Sequence, residues 1–165
     1  MAIYLIDSHI FLWAIDAPGK LRAAERRVLE DANVDVAVSV ASFWELSIKL
    51  TKGSLDIRNK KSTIVSDYFA RQAAIAGFSI LTIEPPEAEY VRALPNIHSD
   101  PFDRLLIAQA LLRGRMVMTR DTVFAHYPGI QIRDFRFLIG LPSLSNLGDF
   151  CRSFLTLQSN LRRIW

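Results

Sequence analysis

The sequence predicts an α/β domain built on a largely parallel sheet. Short apolar runs of strand length recur at residues 2–6, 34–38, 78–83 and 116–118. Segments with helical spacing of their apolar positions lie between them, and glycine or proline marks most of the junctions. Strands that alternate with helices in this way are joined by crossovers, which lay neighbouring strands parallel.

Residues 2–6 end at Asp7 as a buried strand would, and Ser8 is placed to cap the helical run HIFLWAI. Over residues 20–33, Leu21, Ala24, Val28, Leu29 and Ala32 share one helical face while Arg and Glu fill the other. After the strand at 34–38, Ser39 or Ser42 opens a helix over 41–50 that stops near Gly53. A second amphipathic helix is expected over 60–76, ended by Gly77, and a short strand follows at 78–83. Pro85 and Pro86 sit where a helix over 87–94 begins. The strongest helical pattern is 102–113, with Pro101 in its first turn and Gly114 at its end. Residues 116–118 read as a buried strand carrying Thr119, Arg120 and Asp121 at its carboxyl end, and a last short strand is expected at 130–132. From Asp134 onward the apolar residues have no clean period. The chain therefore divides into a folded domain over 2–133 and a carboxyl-terminal extension over 134–165 with no assignable structure.

A chain of 165 residues suits one compact core. Half of the residues are hydrophobic and 22% are charged, a balance that excludes a disordered chain. No run nears the roughly 20 apolar residues that span a bilayer. The amino-terminal stretch is interrupted by Asp7, His9 and Asp16 and has no basic leader or cleavage site, so a cytoplasmic location is expected. The single cysteine, Cys151, rules out an internal disulfide and any multi-cysteine metal site. A net charge of +3 mildly favours a polyanionic partner and decides nothing alone. The sequence has no nucleophile elbow, P-loop or glycine-rich dinucleotide fingerprint.

The chemistry then rests with acids. Open parallel sheets bind ligands outside the carboxyl ends of their strands, where strand order reverses. Asp7 follows the first strand, Asp121 follows the 116–118 strand, and Asp103 lies in the first turn of the helix leading into that strand. Glu45 is flanked by Phe43, Trp44, Leu46 and Ile48, a setting in which an unpaired charge is costly to bury. Converging carboxylates repel one another unless a cation joins them, and Mg²⁺ or Mn²⁺ prefers such oxygen ligands. The three histidines, His9, His98 and His126, are far from one another, so no zinc set is apparent. Each acid also has an ordinary use. Asp7, Asp100 and Asp121 suit helix caps, Asp103 suits a helix dipole, and Glu45 suits an ion pair with Lys49. Singly, these uses suffice; together they leave the recurrence of acids at one edge unexplained. Lys49, Lys52, Arg104 and Arg120 are either phosphate contacts or solvated surface charges. Trp13 and Trp44 read as core or subunit-interface residues.

The blocks LIDSHIFLWAI, SVASFWELSIKLTKGSL, LPNIHSDPFDRLLIAQALLRG and MVMTRDTVFAHYPGIQI, in that order over about residues 2–133, resemble PIN-domain proteins. More narrowly, they resemble the VapC-type toxins of bacterial toxin–antitoxin pairs. The resemblance implies a three-layer α/β/α domain with a central, mostly parallel sheet. It also implies an Mg²⁺- or Mn²⁺-dependent endoribonuclease, usually a homodimer, restrained by a cognate antitoxin protein. Matched by motif, Asp7, Glu45, Asp103 and Asp121 are the catalytic, metal-holding acids, with Thr119, Asp100 and Ser8 in support. Residues 134–165 have no counterpart in the resemblance.

Two rival readings make different forecasts. A PIN-like RNA-processing nuclease would act without an antitoxin encoded beside it. A non-catalytic protein-binding α/β module would be indifferent to metal and to loss of the Asp7 carboxylate.

Overall fold

The computed structural model describes residues 2–55, 57 and 67–133. Four strands form one sheet: β1 (Ile3–Ile6), β2 (Asp35–Ser39), β3 (Ser79–Leu81) and β4 (Met116–Met118), in spatial order β3-β2-β1-β4. Every pairing is parallel. The helices are α1 (Ser8–Asp16), α2 (Ala23–Leu29), α3 (Val40–Thr51), α4 (Tyr68–Ile75), α5 (Pro85–Tyr90) and α6 (Pro101–Arg113), with short 3₁₀ turns at Pro18–Lys20, Val91–Ala93 and Thr122–His126.

Side-chain alternation along the strands explains the layering. Tyr4, Ile6, Val36, Val38 and Met118 point to one core with Ile10, Phe11, Leu46, Phe69 and Phe78. Leu5, Ala37, Leu81 and Val117 point to the other core with Leu94, Leu106, Ile107 and Phe124. Both faces of the sheet are therefore covered, as a parallel sheet requires, and the domain has three layers, α/β/α.

Most expected elements are present with shifted ends. The helix expected over 20–33 is shorter, because Pro18–Lys20 makes a 3₁₀ turn and Leu21 and Arg22 are extended before α2. Of the helix expected over 60–76, α4 covers the later part, and residues 60–66 lie outside the described residues. The strand expected at 130–132 amounts to one bridge, Val117 to Ile132. At the end of α6, Gly114 adopts φ 61°, ψ 34°, the left-handed conformation that closes a helix at little cost only in glycine. No helix among the described residues is long and apolar enough to cross a membrane. The extension over 134–165 lies outside the described residues.

Candidate metal centre at the carboxyl edge of the sheet

Strand order places the site. From β1 the chain moves outward to β2 and then β3, while β4 lies on the other side of β1. The switch in direction falls between β1 and β4, and the residues just beyond those two strands are Asp7 and Thr119. The Asp7 N–H donates to the Met118 carbonyl at 3.2 Å, so the two strand ends are laced together where the acids begin.

Asp7, rather than Ser8, caps α1. Its Oδ1 accepts from the Ile10 N–H at 2.6 Å, and its Oδ2 accepts from the Thr119 hydroxyl at 2.6 Å. The carboxylate is buried, and burial pushes its pKa up. The Ile10 N–H, the Thr119 hydroxyl and His9 oppose that rise, and the charge of Glu45 adds to it. Ser8, released from capping, donates its hydroxyl to Glu45 Oε2 at 2.5 Å. The other oxygen of Glu45 pairs with Lys49 one turn along α3. Glu45 is thus buried with a partner on each oxygen, which answers the cost of placing a charge there.

A second group of acids gathers at the start of α6. Asp100 caps this helix, its Oδ1 accepting from the Phe102 N–H at 2.8 Å and more distantly from the Asp103 N–H at 3.4 Å. Asp103, in the first turn, has its pKa pushed up to about 7. Burial is the largest cause and the Asp100 charge the next; His98 opposes, while Glu45 and Asp121 add smaller upward pushes. Asp121 caps the 3₁₀ turn that follows β4, with Oδ1 accepting from the Val123 N–H at 2.8 Å. Its other oxygen lies 3.2 Å from His98 Nε2, and Asp103 Oδ2 lies 3.3 Å from the same nitrogen.

The ordinary structural uses of these acids and their gathering at one edge are therefore both real. Asp7, Asp100 and Asp121 are caps, and Glu45 does pair with Lys49. Thr119 joins the groups, since it donates to Asp7 and accepts from the Asp121 N–H at 2.9 Å. Glu45 also links them, because its charge acts on both Asp7 and Asp103. One ligand atom from each of His98, Asp103 and Asp121 can be chosen so that all lie within 4.8 Å of one another. The two carboxylate oxygens of this group are donors of the kind a hard divalent cation prefers.

His98 is the member that sequence reasoning missed. Comparing histidines with one another hid it; its place in the same HSDPFD stretch as Asp100 and Asp103 was the available signal. Two of the four basic residues, Arg104 and Arg120, are tied to other parts of the chain, while Lys49 pairs with Glu45 and Lys52 is exposed. Arg104 donates to the carbonyls of Pro95 (2.7 Å), Val91 (2.8 Å) and Leu94 (3.2 Å), pinning the loop that carries His98. Arg120 binds both oxygens of buried Glu25, at 2.9 and 2.5 Å, and lies over the Trp13 ring. Burial alone would raise the Glu25 pKa, but bonds from Arg120 and the Arg22 N–H hold it below the ordinary range. Trp13 packs against the core, whereas Trp44 is 58% exposed and meets Phe102 edge to face. A cavity of about 480 Å³ lined in part by Leu21, Leu29, Val34 and Phe78 contains none of the four acids.

Fold and site together define a class: a three-layer α/β/α domain with an acidic cluster at the switch point of its parallel sheet. A model of the PIN domain matches residues 4–130, and the chain belongs to the PIN domain family. It is similar to Ribonuclease VapC22 of Mycobacterium tuberculosis, with 28% identity over 73% of this chain and 88% of that protein. Among solved structures, the fold is shared with VapBC2 from Rickettsia felis bound to a promoter DNA fragment (TM-score 0.59, 18% identity, 79% of this chain and 97% of that one). It is also shared with FitAcB from Neisseria gonorrhoeae (TM-score 0.55, 17% identity, 79% and 96%). A toxin–antitoxin complex from Klebsiella pneumoniae shares it as well (TM-score 0.52, 21% identity, 79% and 96%).

Proposed function

We propose that the chain is a divalent-metal-dependent endoribonuclease acting as the toxin of a toxin–antitoxin pair, with residues 2–133 as its nuclease domain. The observation that carries this reading is the gathering of Asp103 and Asp121 around His98, with ligand atoms within 4.8 Å of one another, beside the buried Asp7 and Glu45. Burial, and then the charge of Asp100, pushes the Asp103 pKa up to about 7. Carboxylates gathered this closely suit a cation, which would offset their mutual repulsion and the cost of burying their charge. Membership of the PIN domain family supports the reading, as does similarity to a protein named as a ribonuclease. The solved toxin–antitoxin complex with this fold supports an antitoxin as partner. Action in the cytoplasm as a homodimer belongs to the same proposal.

In this reading Asp7, Asp103 and Asp121 hold Mg²⁺ or Mn²⁺, with Glu45 as a further ligand or as the proton acceptor. Such a cation, when bound, makes a nearby water more acidic and offsets the charge that develops on a phosphodiester in its transition state. The chain's own groups supply the geometry. Thr119 fixes the rotation of the Asp7 carboxylate, and Ser8 fixes that of Glu45. In hydrolysis, a water oxygen bonds to phosphorus as one ester P–O bond breaks; the water's proton goes to Glu45 where that residue is not a ligand, otherwise to solvent, and the departing oxygen gains one from solvent.

Inducible expression in a bacterial host, wild type beside Asp7→Asn, tests the proposal through growth and total RNA. The expected result is growth arrest with discrete RNA cleavage in the wild type alone. Arrest by both forms, or none from well-folded wild type, would contradict the toxin reading.

A further inference from the structure

The imidazole of His98 sits within ligand distance of the two acids at the start of α6 and the end of β4, yet its surroundings are not those of a metal ligand. Its Nδ1 accepts the backbone N–H of Asp100 at 2.9 Å. An Nδ1 that accepts a hydrogen bond carries no proton, so the neutral ring bears its proton on Nε2. That nitrogen faces Asp121 Oδ2 at 3.2 Å and Asp103 Oδ2 at 3.3 Å. A histidine that ligates a metal does the opposite: it offers a bare nitrogen to the ion and donates its other N–H to a carbonyl or carboxylate. Here the second nitrogen meets a donor.

We infer that His98 is a positioning residue for the acid pair and not one of its metal ligands: its Nε2–H donates to Asp121 and lies against Asp103, and so holds their oxygens ready for a cation. The inference rests on the metal-centre reading given above. The ring is locked for this task. Besides the Asp100 N–H, it meets the edge or face of Phe124 at 6.4 Å between centroids, and the His98 N–H donates to the Tyr127 hydroxyl at 2.9 Å. Arg104 fixes the loop on which His98 stands through four carbonyls, the most distant that of His98 itself at 3.5 Å. Two carboxylates that would otherwise repel thus lie against one N–H, which donates to Asp121 and whose orientation the helix cap dictates, because the residue supplying the orienting N–H is also the cap of α6.

Ring-nitrogen NMR of the ¹⁵N-labelled full chain, recorded metal-free at pH 8 and again with Mg²⁺, tests this directly, with His98→Gln used to assign the signals. The expected result is an Nε2–H tautomer for His98 in both states. An Nδ1–H tautomer in either state, above all one that appears on adding Mg²⁺, would overturn the inference. Calorimetric titration with Mn²⁺ adds a second reading. His98→Ala should bind about tenfold more weakly than wild type, at the low end for loss of a group that orients a ligand. His98→Gln, which keeps an N–H at similar reach, should bind much as the wild type does; equal losses in both variants would overturn the inference. If wild type bound neither Mg²⁺ nor Mn²⁺, the metal-centre reading would fall, and the metal-free tautomer would still decide the role of His98.

Discussion

Asp7 and Glu45, on one side of the acidic edge, are buried with donors assigned to their oxygens, whereas Asp103 and Asp121, on the other side, share one imidazole and remain partly open. The first pair is held by Ile10, Thr119, Ser8 and Lys49, all within or directly after the strands and helices that frame the switch point. The second pair has side chains 24% and 40% exposed, and one of its carboxyls holds its proton to about 7. The difference teaches how one site can be both rigid and receptive. Burial raises the pKa of Asp7 as well as that of Asp103, but donors on the oxygens of Asp7 and Glu45 fix their geometry, while the more exposed Asp103 and Asp121 would be the ones open to a cation.

The largest effect expected from breaking this arrangement is on cleavage. Asp103→Asn should lower the metal-dependent rate by about a hundredfold or more, the scale on which one preorganised charge-stabilising group contributes. Asp7→Asn should do the same, and initial rates on a fluorogenic RNA will show whether both halves are needed.

The comparison is sharpened next by pH. Unfolded Asp103 ionises near the ordinary carboxylate value of about 4, while the folded protein keeps its proton to about 7. Across that window the native state binds more protons than the unfolded state, so metal-free stability falls as pH rises from about 4 to about 7. Buried Asp7 acts in the same direction. Glu25 and Glu87, whose pKa is held low, lose support as pH falls through about 4.5, so they oppose the trend at its acidic end and bear little on a comparison of pH 5 with pH 8. Thermal melts at pH 5 and pH 8 should show the fall in wild type, a smaller one in Asp103→Asn, and recovery of the pH 8 value on adding Mg²⁺.

A smaller effect is expected from the hydroxyl that joins the halves. Thr119→Val strips a donor from Asp7 and an acceptor from the Asp121 N–H, and should cost about 1–3 kcal/mol by denaturant titration, the range for unsatisfied buried polar groups. Ser8→Ala should cost least, about 1 kcal/mol, because Lys49 still pairs with Glu45.

What was legible in the sequence was local. Apolar runs located the strands, Pro101 and Gly114 bounded α6, and the caps Asp7, Asp100 and Asp121 stood where chain direction changes. Partners that depend on the fold were not legible. Glu25 meets Arg120 across 95 positions, and Ser8 meets Glu45 across 37, so no periodicity or spacing could announce either pair. Ser8 was a reasonable cap by residue type, but the Asp7 carboxylate already reaches the free Ile10 N–H. His98 escaped notice because its role depends on a loop pinned by Arg104 and on an N–H from the adjoining helix cap. The bridge at Ile132 marks a further boundary of such reasoning, since a short apolar run does not say how much of it will pair.

The central claim is that the acids at this edge cut RNA with the help of a divalent cation. Its most direct test is cleavage of RNA by purified wild type, Asp7→Asn and Asp103→Asn, each freed of any bound inhibitor and verified as folded. Wild type should cleave with Mg²⁺ or Mn²⁺, stop when the metal is chelated, and lose activity in both variants. Undiminished cleavage by the variants or in chelator, or no cleavage of any RNA by the wild type, would contradict the account.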